Sequence, residues 1–212
     1  PDRAHPTGYR RLTGNEVGSL LGWRAAESLT AHDEGAAEGT LACSIVSSPA
    51  LAAVARHYGL EFADTLTGFK WVSRAPGLVL AAEGSDIASH LDRFSETFGH
   101  FASDQISVRV DDLAVITTTM TRLRDAPPST IGGIRIDRIE DLSGGFGALP
   151  PSDVLRFRLA DGSRVMVRPS GTEPKLKVYI DVSSDTGTLA ERVAESESRL
   201  TALRAGVAEL VA

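Results

Sequence analysis

The 212-residue sequence predicts an α/β plus α+β protein. A βαβ-type mixed-sheet domain is expected over residues 1–85, followed over residues 86–212 by a domain with an antiparallel sheet flanked by helices. In the first part, short apolar runs alternate with capped helices, the rhythm of βαβ layers. From Asp104 onward, apolar residues recur at every second position, as in "DQISVRV" and "IRIDRIE", the period of half-buried strands. "VLRFRLADGSRVMVR" then places two such runs around Asp161-Gly162, a strong hairpin signal.

Thr13 and Glu16 form a capping box, each able to satisfy the other's amide, and open a helix over 13–24. Its apolar face reads as Val17, Leu20 and Leu21, with Arg24 at the next helical position. "AHDEGAAEGT" is an acidic loop. Leu41–Ser47 reads as a buried strand. Ser48 caps a second helix with Pro49 at its first position, where a missing amide costs nothing, and Gly59 ends it in a left-handed cap. Residues 60–65, 70–73 and 78–81 read as strands. Asp86–Phe98 is amphipathic, with Ile87, Leu91, Phe94 and Phe98 on one face. After the strand ending at Val110, a helix covers Leu113–Leu123 and stops before Pro127-Pro128. Strands follow over "IRIDRIE", the hairpin and "KLKVYIDV". Thr188 and Glu191 form a second capping box that opens a long helix with the stripe Leu189, Val193, Leu200, Leu203, Val207 and Leu210.

Hydrophobic residues at 42% and charged residues at 24% describe a soluble globular chain. No apolar run approaches the length of a membrane span. The net charge of −6 argues against broad nucleic-acid binding but leaves room for a local anion site. Cys43 is the only cysteine, which excludes an internal disulfide and fits a reducing, cytoplasmic setting. His5, His32, His57, His90 and His100 are scattered, with no metal-ligand spacing. The opening "PDRAHPTGYR" has no initiator Met and no signal-peptide pattern, and reads as the interior of a longer protein.

The connection after the hairpin's second strand stands apart. Arg168, Pro169, Ser170, Gly171, Thr172, Glu173, Pro174, Lys175 and Lys177 exceed what a tight turn requires. A phosphate needs converging amides, hydroxyl donors and a guanidinium fork. Gly171 permits close approach and positive φ, Ser170 and Thr172 add hydroxyls, the prolines stiffen the loop, and Arg168 supplies the fork. A second reading stays open: a wide decorated turn in which Arg168 pairs with Glu173.

"RPSGTEPKLKVYID" resembles the phosphate-binding loop of the α-D-phosphohexomutase family, the phosphoglucomutases and phosphomannomutases. "GYRRLTGNEVGSLLG" is similar to the start of a helix in that family's third domain, and "DTLTGFKWVS" to its Thr-Gly-Phe-Lys-Trp segment. The three stretches occur in the family's order, so the resemblance covers essentially the whole chain as the third and fourth of four domains. It implies that Arg168, Ser170, Gly171, Thr172 and Lys177 hold the sugar phosphate that is not reacting. It implies that Thr67, Gly68 and Lys70 lie at the substrate, although Lys70 and Trp71 fit packing or a strand edge equally well. Helix capping alone accounts for Glu16.

The family's phosphoserine loop, of the Thr-Ala-Ser-His-Asn-Pro type, does not occur here, nor does its Mg²⁺ loop of the Asp-Gly-Asp-x-Asp-Arg type. Mg²⁺ is therefore a family expectation whose ligands lie outside this stretch. The sugar-recognition loop is not found between "GLVLA" and "AEGSDIASHLDRF": Glu83-Gly84-Ser85 reads as a shortened remnant of it, or the abrupt join at Ala81-Ala82-Glu83 as a deletion or an absent stretch. The resemblance thus implies the C-terminal half of an enzyme that interconverts hexose 1- and 6-phosphates through a phosphoserine and a bisphosphate. The alternatives are a non-catalytic sugar-phosphate-binding remnant and a structural fragment with an idle loop.

Overall fold

Reciprocal bonds start the first helix: the Thr13 amide donates to Glu16 Oε2 at 2.8 Å, and the Glu16 amide to Thr13 Oγ1 at 3.2 Å. The computed structural model describes residues 12–31, 39–67, 87–110, 112–147, 149–171 and 173–211. The strands expected at 70–73 and 78–81, the join at Ala81-Ala82-Glu83, the Ile87 side chain, and the residues Gly68, Lys70, Trp71 and Thr172 lie outside the described residues.

Helix α1 spans Gly14–Ala31, longer than the expected 13–24, because nothing from Ala25 to Ala31 breaks it. Its buried face also differs from the expected one. Trp23, Ala25 and Ala26 are buried, whereas Val17 and Leu21 are 40% and 37% exposed. The large indole decides the rotation of the helix: Trp23 Nε1 donates to Tyr58 Oη at 2.9 Å, and the ring meets Phe94 and Phe98 edge-on. Strand β1 (Thr40–Ser44) ends earlier than expected, because the Ser47 amide turns back onto the Ser44 carbonyl at 2.8 Å. Helix α2 (Ala50–Tyr58) returns the chain to β2 (Glu61–Thr65), which runs parallel to β1, a βαβ unit. Gly59, at φ 68°, is the left-handed cap the sequence predicts.

Helix α3 (Ile87–Phe98) presents Phe94 and Phe98 to the core of Trp23, Ala26, Leu41, Val54 and Leu60. The chain forms two units, Pro1–Phe101 with Ser184–Val193, and Ala102–Ser183 with Ala194–Ala212. α3 thus packs in the first unit, whereas the sequence places residue 86 onward in the second. Its aromatic pair finds Trp23, a long-range partner that periodicity cannot identify.

The second unit is built on β3 (His100–Arg109), β4 (Thr130–Ile131), β5 (Ile134–Asp141), β6 (Leu155–Leu159), β7 (Arg164–Pro169) and β8 (Lys175–Ser184), in sheet order β3-β8-β7-β6-β5-β4. The pairings from β4 through β8 are antiparallel. Helices α4 (Leu113–Asp125) and α5 (Leu189–Val211) supply the rest of the core. Met120, Leu123, Leu203 and Val207 pack with Phe157, Val165, Val178 and Ile180. Both hairpin and capping box form as expected: Gly162 has φ 83°, and the Thr188 amide donates to Glu191 Oε2 at 2.7 Å.

The opposite sheet face carries mainly polar side chains, together with the buried Met166. Glu140 and Arg156 are cross-strand partners buried to 3% and 2% exposure, with Arg138 also on the carboxylate and Arg158 3.6 Å from it. One strand over, Arg164 Nε meets Asp181 Oδ2 at 2.7 Å, and Ser103 Oγ donates to Asp181 Oδ1 at 2.8 Å. Burial raises the Glu140 carboxyl pKa, but the Arg156 hydrogen bond and the charges of Arg156, Arg158 and Arg138 outweigh this and hold it below its ordinary value.

Candidate functional site

The candidate site lies at the end of the β7–β8 hairpin. Arg168 and Lys177 are cross-strand partners, and Pro169 pairs with Leu176. The loop closes through the Ser170 amide, which donates to the Lys175 carbonyl at 2.8 Å, and the Lys175 amide, which donates to the Glu173 carbonyl at 2.7 Å. From the other side, the Val110 amide donates to the Pro174 carbonyl at 3.0 Å, fastening the loop to the end of β3. Backbone bonds therefore hold the loop at both margins.

Because side chains alternate along a strand, Lys175 and Lys177 share one face of β8, and Arg168 joins them from β7. It is the polar face, since Val165, Val167, Val178 and Ile180 enter the core on the other. Arg168 is half-buried and its Nε donates to the Pro169 carbonyl at 3.3 Å. Gly171 is exposed, and a Cβ built on it would meet nothing within 4 Å. Its φ is not positive, so the glycine contributes open approach to the backbone rather than a left-handed turn.

The partners of Glu173 bear on the one pairing left open by the sequence. Its carboxylate accepts from Lys175 Nζ at 2.8 Å and stands 3.9 Å from Arg109, rather than pairing with Arg168. The Lys175 hydrogen bond and charge lower the Glu173 pKa most, against a small opposing effect of burial, and Arg109 and Lys177 add to the lowering. Arg109 is the residue that sequence reasoning missed. The signal was present: if Ile106, Val108 and Val110 face the core, Arg109 faces the other way.

Of the other candidates, Thr67 is exposed just past β2 and belongs to the first unit, whereas Arg168, Ser170, Gly171 and Lys177 belong to the second. A cleft of about 450 Å³ opens beside the carboxyl end of β1, lined by Gly14, Asn15, Ser44, Ser47 and Ser48 among others. Asn15 Oδ1 accepts from the Ser48 amide at 3.2 Å, and the Ser44 and Ser47 hydroxyls are 3.0 Å apart. Carboxyl ends of parallel strands are the usual ligand side of such layers. A second cleft, of about 290 Å³, runs from Ile116, Met120 and Arg124 to Pro169 and Ser170. Among the described residues, no group of three His, Cys, Asp or Glu could hold a metal ion, and no helix is long and apolar enough to cross a membrane.

Comparison with known proteins gives a consistent result over both units. Residues 13–107 match the family model described as phosphoglucomutase/phosphomannomutase, alpha/beta/alpha domain III, and residues 106–204 the model described as the C-terminal domain of the same family. A probable phosphomannomutase of Haemophilus influenzae is 36% identical over 87% of this chain and 44% of its own length. Human phosphopentomutase is 26% identical over 84% of this chain and 39% of its own length. A phosphoglucomutase of Staphylococcus aureus is 25% identical over 81% and 40%. The chain thus spans less than half the length of these relatives. The Haemophilus alignment runs over 219 positions while using only 87% of this chain, so that relative carries internal residues with no counterpart here. The crystal structure of the open form of parafusin, a phosphoglucomutase from Paramecium, shares the fold with a TM-score of 0.59 at 16% identity, covering 94% of this chain and 41% of that one.

Proposed function

We propose, for a chain that belongs to the phosphoglucomutase/phosphomannomutase family, that it acts as the third and fourth domains of a phosphohexomutase. The whole enzyme would be an isomerase that moves a phosphoryl group between a phosphoserine and a hexose 1- or 6-phosphate, through a bisphosphate that reorients between two transfers. The role of this chain is to bind and orient. The loop 168–177 holds the phosphate that is not reacting, through Arg168, Lys177, the hydroxyls of Ser170 and Thr172 and the open backbone at Gly171. Thr67, Gly68 and Lys70 are the proposed contacts to the sugar. A clamp that reads a phosphate rather than a ring carbon serves both orientations of the bisphosphate. Phosphoryl transfer depends chiefly on such positioning and on charge stabilisation.

The observation that carries this reading is the cross-strand pair Arg168 and Lys177 beside the backbone-closed loop Ser170–Lys175. In this proposal Mg²⁺ and the phosphoserine are family expectations, and the present sequence carries neither of the loops that would hold them. The internal residues missing relative to the Haemophilus protein are assigned to the join at Ala81-Ala82-Glu83, where a sugar-recognition loop would stand. A cytoplasmic location accompanies this metabolic role.

The test is a coupled mutase assay on the full encoded polypeptide with Mg²⁺, using glucose 1-phosphate, mannose 1-phosphate and ribose 1-phosphate, alongside calorimetry with the same compounds. Turnover of a hexose phosphate supports the proposal. Binding without turnover would favour the second reading, a sugar-phosphate-binding remnant. Absence of both would defeat the phosphate-loop reading.

A further inference from the structure

We propose that Arg109 is an additional phosphate ligand at this loop, paired with Glu173 until an incoming phosphate exchanges with that carboxylate. The inference rests on the phosphate-loop reading above and adds a residue from an element far away in sequence. Arg109 ends β3, and Ile106 and Val108 before it and Val110 after it pack against the helix-side core. Alternation along the strand turns Arg109 to the face that carries Arg168, Lys175 and Lys177. The Val110–Pro174 backbone bond of 3.0 Å fixes this strand end against the loop. Arg109 is therefore positioned by the sheet, while its side chain is 70% exposed and free to re-aim.

The charges define what the site takes. One carboxylate, Glu173, stands among Lys175 at 2.8 Å, Arg109 at 3.9 Å and the nearby charge of Lys177, with Arg168 across the strand from Lys177. The Arg109 contact is longer than a hydrogen bond and solvent-exposed, so it is readily exchanged. A phosphate dianion carries twice the charge of a carboxylate and three acceptor oxygens, and a guanidinium fork binds two of them at once. Phosphate thus replaces Glu173 at Arg109 with a net gain, and Glu173 keeps Arg109 oriented toward the loop beforehand.

The test is a double-mutant cycle by calorimetry on the full encoded polypeptide, with glucose 1-phosphate as ligand and inorganic phosphate as probe of the anion alone. Arg109→Ala is expected to weaken glucose 1-phosphate about tenfold, the size of one charged hydrogen bond. Glu173→Gln is expected to tighten it, and the Arg109→Ala loss should persist in the Glu173→Gln background. Thermal melts check folding, and Arg109→Gln replaces Arg109→Ala if the latter melts early. Unchanged binding in Arg109→Ala, or a loss that disappears in the Glu173→Gln background, overturns the proposal. If Arg168→Ala still weakens binding in that case, the loop reading survives and only Arg109 is removed from it. If Arg168→Ala has no effect either, the loop reading fails with it.

Discussion

Arg168 and Lys177 face each other across β7 and β8, at the end of the hairpin where the backbone closes a proline-flanked loop. Two cations in register would repel each other across a strand pair. In the proposed function, an anion shared between them removes that cost.

Replacing Arg168 with Ala is expected to weaken glucose 1-phosphate or mannose 1-phosphate binding by about 1.5–3 kcal/mol, the range for a charged hydrogen bond. Calorimetry measures this directly. Equal affinity for the variant and the parent would remove Arg168 from the clamp.

The buried Glu140–Arg156 pair serves stability. Glu140→Gln removes the carboxylate charge that faces Arg156, 2% exposed, and should cost about 3 kcal/mol. The exposed pair Arg24–Glu27 is the contrast: Glu27→Gln should change stability by less than about 0.5 kcal/mol. Urea unfolding of both variants separates the two classes, and similar losses would contradict the assignment.

Glu140 also sets a pH dependence. Its pKa is lowered in the folded state, so its contribution is fully present above the unfolded glutamate value, about 4.3, and is lost as pH falls through the folded value. Asp141, whose carboxyl is held down by the Ser143 amide and Arg124 against the opposing effect of burial, acts in the same direction. Stability should therefore decline below about pH 4, and Glu140→Gln should flatten part of that decline. Parallel pH profiles for parent and variant would exclude Glu140 as a source.

Two glycines allow α5 to approach the turn between β4 and β5. A Cβ on Gly206 would lie 2.1 Å from the Gly132 amide nitrogen, and one on Gly132, at φ +57°, would lie 2.5 Å from the Ala202 carbonyl oxygen. Gly206→Ala should destabilise by at least about 1–3 kcal/mol through overpacking. Gly18→Ala, on a helix with open space around the new methyl, should instead stabilise by about 0.5–1 kcal/mol. Thermal melts that failed to separate the two variants in sign would contradict this packing.

By itself, the sequence determined the elements whose signals are local. Capping boxes at Thr13 and Thr188, the left-handed Gly59, the Asp161-Gly162 hairpin and the period-two strands all depend on residues within a few positions of one another, and each is present. The loop that carries Arg168, Ser170, Gly171 and Lys177 is likewise one continuous stretch of sequence, and its phosphate role is the proposal made above. Tertiary structure decided what depends on distant partners. Trp23 rotated α1 away from the expected Val17 and Leu21 face, because a large ring must find the Phe94–Phe98 cluster and a partner for its N–H. The same cluster drew α3 into the first unit. Glu173 took Lys175 and Arg109 rather than Arg168, because sheet order brings β3 beside β8, and no local rule states that neighbour. Local propensity and backbone chemistry fix short-range geometry, whereas the choice among faces and charge partners follows from long-range packing of the sheet and core.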